Sequence, residues 1–306
     1  MKVIFAGTPD VAVPSLNALL EAGFDVVAVL TRPDAPLGRK RVLTPSPVAQ
    51  RAGELGLSLI KAARITPEVV EEIAATGAEA GAVVAYGGLL PRAALDALPH
   101  GWINLHFSLL PAWRGAAPVQ HAIINGDDVL GASTFLLEEG LDTGPVYGTM
   151  TEGARPDDTS GAVLERMAHS GSVLLAQTLT AIASGRAEAR PQEGAPTLAP
   201  KLSLEDGRLD WTRTAVALHR QARGVTPEPG AWTTLDGQRF KIGAVALRPD
   251  VHDLEAGTVR LAGKSVVVGT GSHGLELLQV QPSGKKMMNA ADWARGQADL
   301  GKVAFA

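Results

Sequence analysis

The stretch KVIFAGTPDVAVPSLNALLEAGFDVVAVLT, residues 2–31, decides the fold. A near-continuous apolar run (2–7) meets a turn at Thr8-Pro9, passes into a helical pattern (13–23) and returns as a second apolar run (25–31). Strands that are apolar at almost every position are strands buried on both faces, which is the habit of parallel sheets. The unit recurs. Runs at 58–62, 81–87 and 103–107 read as further strands, with helical patterns at 46–56 and 66–77 between them. In the last of these, Thr66 is placed to cap the helix, Pro67 to open it and Gly77 to end it. Strand–helix–strand repetition of this kind predicts a doubly wound, mostly parallel α/β sheet, whose ligands bind outside the carboxyl ends of its strands.

Composition narrows what the chain can be. A length of 306 residues exceeds one core of typical size, so one large or two medium domains are expected, and 45% hydrophobic with 20% charged residues is ordinary for a globular chain. Aromatic residues make up 4%, so Ala, Val, Leu and Gly are expected to supply most of the packing. The absence of cysteine excludes disulfides, thiolate–metal sites and cysteine nucleophiles. The opening has no secretory h-region, and no apolar run approaches the roughly 18 residues of a membrane span. A monomer in the cytoplasm is the expectation.

Further along, 132–148 reads as an alternating strand, a tight turn and another extended piece, and 158–184 as a long helix. Residues 185–205 are rich in Pro, Ala and charge. Beyond them, short β-runs with Asp-Gly, Gly-Lys and Gly-Thr-Gly turns suggest a small antiparallel barrel of OB-like type. The expected organisation is a Rossmann-like catalytic domain over 1–188, a linker over 189–205 and a C-terminal β-barrel over 206–306. Charge divides along the same line. Of the 28 basic and 32 acidic residues, 13 and 10 lie in 206–306, which leaves 15 and 22 in front. A basic tail behind an acidic front points weakly to a polyanionic partner.

Several motifs fail on inspection. A dinucleotide fingerprint needs G-x-G-x-x-G, and here only Gly7 is present, followed by a proline that lacks the N–H a phosphate would want. The run GTGSHG (269–274) has no helix after it and reads as a hairpin turn. There is no Walker motif, no His-Glu-x-x-His and no Gly-x-Ser-x-Gly.

What remains is NLHFSLLPAWRGAAP, residues 104–118. Residues two apart on a strand share a face, so Asn104 and His106 project together where the strand gives way to a loop. They are either a core amide and imidazole satisfied by nearby backbone, or a donor beside a titratable ring aimed into a crevice. The second arrangement can polarise a carbonyl and hold a tetrahedral oxyanion. It wants a carboxylate to tune the ring. Asp142, in the turn of EEGLDTGP, supplies one, with Glu138 and Glu139 as competitors. Ser108 is close in sequence but lacks the elbow of a hydrolase nucleophile.

INLHFSLLPAWRGAAPVQHAIINGD (103–127) together with EEGLDTGPV (138–146) resembles the signature of the folate-dependent formyltransferases. IFAGTPDVAVPSL (4–16) and TRPDAPLGRKRVLTPSPV (31–48) are similar to the branch that acts on methionyl-tRNA, as are KLSLEDGRLDW (201–211), PEPGAW (227–232) and QPSGKKMM (281–288). Phe107, Leu204 and Thr226 depart from the family's usual residues. The resemblance implies 10-formyltetrahydrofolate as donor, in a crevice bordered by Ala85, Tyr86, Gly87, by Ser108, Leu109, Leu110, Pro111, and by the turn before Asp142. The acceptor it implies is the α-amine of methionine on initiator tRNA. Asn104 and His106 would hold the oxyanion and Asp142 would orient the ring and help move the proton. No metal is implied. Arg39, Lys40 and Arg41 would meet the tRNA backbone, since three adjacent cations on a glycine-hinged loop suit phosphates. The rivals are a formyltransferase for a small amine, a 10-formyltetrahydrofolate hydrolase and a non-catalytic tRNA-binding protein.

Overall fold

The computed structural model describes residues 1–38 and 40–306, which divide into two compact units. The first comprises Met1–Pro118, Val129–Gly153 and Leu164–Ala199; the second comprises Val119–Asp128, Ala154–Val163 and Pro200–Ala306.

The strands of the first unit are β1 (Lys2–Gly7), β2 (Asp25–Thr31), β3 (Ala35–Leu37), β4 (Val42–Thr44), β5 (Leu59–Lys61), β6 (Ala80–Val84), β7 (Trp102–His106), β8 (Val129–Leu136) and β9 (Val146–Gly153). Seven of them form one sheet in the order β5-β2-β1-β6-β7-β8-β9. The first five run parallel, while β8 and β9 add an antiparallel edge. Burial follows the pairing. β6 is buried throughout, whereas β9 alternates between half-buried and exposed residues along its second half. Helices α1 (Val13–Glu21), α2 (Pro47–Glu54), α3 (Pro67–Ala75) and α4 (Arg92–Leu95) fall between the parallel strands. The chain turns to opposite sides of β1 when it forms β2 and then β6. That reversal opens the crevice where α/β sheets bind ligands.

Two local expectations need correcting. Thr66 does occupy the N-cap of α3, but its hydroxyl caps no backbone N–H. Residues 35–44, read as a loop, form the antiparallel ribbon β3–β4 with Gly38, Lys40 and Arg41 at its turn. Helix α5 (Pro118–Asn125) follows β7, and the long helix α6 spans Ser160–Ala183, within two residues of the expected limits.

The second unit carries α7 (Ala215–Gly224), α8 (Ala290–Arg295) and strands β10 (Ala231–Leu235), β11 (Gln238–Ile242), β12 (Val245–Arg248), β13 (Val259–Ala262), β14 (Ser265–Val268), β15 (Gly274–Leu277), β16 (Gln279–Gln281) and β17 (Met288–Asn289). They form two antiparallel four-stranded sheets, β10-β11-β16-β17 and β12-β15-β14-β13. The β10–β11 hairpin turns through Asp236-Gly237, both at positive φ, which is the conformation a tight two-residue hairpin requires. Here the packing is more aromatic than the composition suggested. Phe240 sits 4.9 Å from Trp293 and 5.1 Å from Phe305, and Phe305 stacks on Trp211 at 5.6 Å. Such offset and tilted ring pairs add to what area burial alone contributes.

Candidate active site

Strand β7 places the first two residues. Asn104 lies between Val83 of β6 and Phe135 of β8, and His106 lies opposite Ser133. Alternation along β7 puts both side chains on one face, as expected. Among the described residues the Asn104 amide has no side-chain hydrogen bond, so its N–H groups are available to a ligand.

His106 is only 6% exposed. Its Nε2 lies 2.9 Å from the Trp113 carbonyl, which can only accept, so the proton of the neutral ring sits on Nε2. The lone pair of Nδ1 then faces Asp142 Oδ2 at 3.8 Å. Burial holds the imidazole below its ordinary pKa, opposed by the Asp142 charge and the Trp113 carbonyl. The ring is therefore neutral near pH 7 and offers an acceptor towards a carboxylate. A proton arriving at Nδ1 would be shared by the two.

Asp142 is fixed from its other side. Its Oδ2 accepts from the Gly115 N–H at 2.7 Å. Gly115 has φ +125°, and a Cβ there would lie 2.6 Å from the Ala199 carbonyl oxygen, so only glycine fits. Positive φ recurs around this centre. Five non-glycine residues among those described have it, and three of them are Ala85, Trp113 and Asp142. Such conformations persist where the surrounding structure over-determines them, commonly at ligand sites. The sequence left Glu138 and Glu139 as competitors for the carboxylate role. Both line a cavity of about 780 Å³ with His100 and Tyr147, a cavity that His106 does not line. Asp142 is the carboxylate brought to the ring.

The loop after β7 is held by hydrogen bonds within itself, to Ser133 of β8 and to Thr197. Ser108 Oγ donates to the Ala112 carbonyl at 2.5 Å, and the Ser108 carbonyl accepts from Ser133 Oγ at 2.7 Å. The Leu110 N–H donates to the same Ser133 hydroxyl at 3.1 Å. Leu109 packs over Gly131, while Pro111 accepts from Thr197 N at 3.3 Å. At the end of β6, the Tyr86 ring is buried with Ile60, Ala62 and Trp102, and Thr8 Oγ1 donates to its carbonyl at 2.7 Å. Its neighbours Ala85 and Gly87 are exposed. The sequence thus grouped residues of two kinds, rim and anchor. Lys40 and Arg41 are exposed at the β3–β4 turn, and Arg39 lies outside the described residues.

Residues 1–179 match the formyl transferase family, and residues 201–298 match the formyl transferase C-terminal domain. The chain belongs to the formyl transferase family. A methionyl-tRNA formyltransferase of Arthrobacter sp. (strain FB24) is 70% identical over 305 residues and covers the whole of both chains. Among solved structures, an N-formyltransferase from Helicobacter canadensis in complex with folinic acid and dTDP-3-aminofucose shares the fold at a TM-score of 0.68, with 17% identity, 90% of this chain and 98% of that one. A methionyl-tRNA formyltransferase from Clostridium thermocellum matches at a TM-score of 0.57, with 14% identity over 81% of this chain and 94% of that one.

Sequence reading of this family member missed two groups. The Trp113 carbonyl, which sets the His106 tautomer, is a backbone atom without a residue-type signal. Gln192, which donates to the Asp142 and Gly144 carbonyls at 2.7 and 2.8 Å, was hidden in a Pro-rich run read as linker. Among the described residues no group of three His, Cys, Asp or Glu side chains is placed to hold a metal ion.

Proposed function

We propose that Asn104, His106 and Asp142 are the reacting centre of formyl transfer to methionyl-tRNA. The chain is a transferase that passes the formyl group of 10-formyltetrahydrofolate to the α-amine of methionine on initiator tRNA, the step that prepares this tRNA for translation initiation. The observation that carries the residue assignment is the buried His106 ring, with Nε2 2.9 Å from the Trp113 carbonyl and Nδ1 3.8 Å from Asp142 Oδ2.

That geometry refines the roles expected from sequence. The neutral amine attacks the formyl carbon, giving an oxyanion and a positively charged nitrogen. With its Nε2–H engaged by Trp113, His106 first acts through Nδ1 as the base that takes the surplus proton. The imidazolium so formed is paired with Asp142, and its charge together with the Asn104 amide favours the oxyanion. Return of the proton to N10 of the folate breaks the carbon–N10 bond and releases tetrahydrofolate. No covalent intermediate with the protein is required.

The proposed folate border is Ala85, Tyr86 and Gly87, of which Ala85 and Gly87 are exposed, with the loop 108–111 and the turn before Asp142. Lys40 and Arg41, with Arg39, are the proposed phosphate contacts. Residues 1–188 would carry the chemistry, 206–306 the broader tRNA contacts, and 189–205 would join them. A monomer is the proposed state and the cytoplasm the proposed compartment. Among the described residues no helix is long and apolar enough to cross a membrane.

The test is formyl transfer from 10-formyltetrahydrofolate to methionyl initiator tRNA, to free methionine and to amino-sugar nucleotides. Turnover confined to the charged tRNA is expected. Equal or faster turnover of a sugar nucleotide would overturn the substrate assignment.

A further inference from the structure

The segment that leads to Gln192 is held closely against the first unit. Arg190 and Val146 exchange backbone hydrogen bonds at 2.7 and 2.9 Å. Thr197 Oγ1 accepts from Trp113 N at 2.8 Å, Thr197 O accepts from Arg114 N at 2.9 Å, and Ala199 N donates to Arg114 O at 2.7 Å. Between these ties, Gln192 spends its whole amide. Nε2 donates to the carbonyls of Asp142 and Gly144, while Oε1 accepts from Arg114 Nε at 3.1 Å and Nη2 at 2.6 Å. The orientation is unambiguous, because carbonyls only accept and a guanidinium only donates.

One side chain therefore joins the two walls that meet at His106. The turn with Asp142 supplies the carboxylate. The loop with Arg114 supplies the Trp113 carbonyl to Nε2 and the Gly115 N–H to Oδ2. Asp142 has φ +51°, a conformation a non-glycine residue seldom keeps without outside support, and Gln192 binds its carbonyl directly. We infer that Gln192 is a positioning residue for proton transfer, setting the separation of Asp142 from His106 by tying the Asp142 turn to the Arg114 loop. This rests on the proposed role of Asp142.

Two substitutions separate this role from simple support of Arg114. Gln192→Glu keeps an oxygen for the guanidinium, now as a charged pair, but turns a second oxygen towards two carbonyls. Gln192→Ala removes both halves. A misplacement of about 1 Å costs on the order of 100-fold in rate. Both variants are accordingly expected to lose 10- to 100-fold in kcat, with KM for folate and tRNA within about twofold. The acid limb of the pH–rate profile should also move to lower pH, because Asp142 raises the pKa of His106 less when it is displaced. In an Asp142→Asn background, Gln192→Ala should cost less than about threefold. Circular dichroism and thermal midpoints check folding. Wild-type kcat in Gln192→Glu, or a full independent loss in the Asp142→Asn background, overturns the inference. Full activity with an unchanged profile in Asp142→Asn alone would instead remove the role of Asp142, a result readable without any Gln192 variant.

Discussion

Asp142 Oδ2 stands 3.8 Å from His106 Nδ1 and 2.7 Å from the Gly115 N–H. The carboxylate is thus hydrogen-bonded to backbone and only electrostatically paired with the ring. Position and charge are separable at this residue. A proton on Nδ1 turns two facing acceptors into an ion pair in a site with little water, where such a pair is strong. The ring and the carboxylate together form a receptacle for one proton.

Asp142→Asn keeps an oxygen for Gly115 and removes the charge. We expect kcat to fall by about two orders of magnitude, the scale of a lost proton-transfer partner. The sign of the pH effect is fixed by the ring. Asp142 raises the His106 pKa against the larger effect of burial, so its loss lowers that pKa further. The acid limb of kcat/KM should then shift to lower pH. A shift to higher pH, or a profile merely scaled down, would rule out the electrostatic role.

Asn104→Ala removes an amide with no other partner among the described side chains. A loss of about 100- to 1,000-fold in kcat is the usual consequence of deleting one oxyanion donor, with folding little disturbed. His106→Ala should lose about 100- to 10,000-fold through the missing base. Steady-state kinetics on methionyl-tRNA measure both. Near-normal turnover in either variant would remove that residue from the reacting centre.

How much of this was legible in the sequence depends on how local each signal is. β1, β2 and the helices α1 to α3 fell within two residues of their expected limits, because continuous apolar runs and terminal Pro and Gly act over one turn or one strand. The shared face of Asn104 and His106 followed from the strand period alone. Asp142 was found as a carboxylate in a turn, but the choice against Glu138 and Glu139 needed the fold. The ribbon β3–β4 escaped notice because its strands are three residues long and mostly exposed. Gln192 escaped because its partners lie 48 to 78 residues away, and Pro, Ala and charge mask a segment whose order comes from those partners. The aromatic core of the second unit is drawn from Trp211, Phe240, Trp293 and Phe305, too widely spaced for any window to register.

Acid stability offers a test outside the active site. His219 is 9% exposed on α7, and burial first, then Arg223, lowers its pKa to about 4. The unfolded chain takes up this proton near pH 6.5 and the folded chain does not until near 4. The stability present above pH 6.5 is thus lost as pH falls towards 4, and the lowered His106 acts in the same direction. Asp250 and Asp253, held near 2 by arginines, affect only more acidic conditions. Urea midpoints should be lower at pH 5 than at pH 7, and His219→Gln should flatten part of that slope. An undiminished slope in the variant would show that His219 is not the group responsible.

The basic ribbon separates a tRNA substrate from small amines. Lys40 and Arg41 are exposed at a two-stranded turn whose flanks also expose Leu37, Val42 and Leu43. Cations at the tip of a projecting ribbon can follow a phosphate backbone without disturbing the core that holds His106. Phosphate contacts release counterions, and each one lost should reduce the slope of log K against log salt by about 0.9. Replacing Arg39, Lys40 and Arg41 with alanine is therefore expected to lower kcat/KM for methionyl-tRNA by at least tenfold at moderate salt. The difference from wild type should narrow as salt rises, because the contacts removed are the salt-sensitive ones. Folate affinity, measured in parallel, should be unchanged, since no donor contact is assigned to this ribbon. Kinetics at two salt concentrations decide the matter. An unchanged kcat/KM for the tRNA would take the ribbon out of substrate binding, and an equal loss of folate affinity would place it at the donor instead.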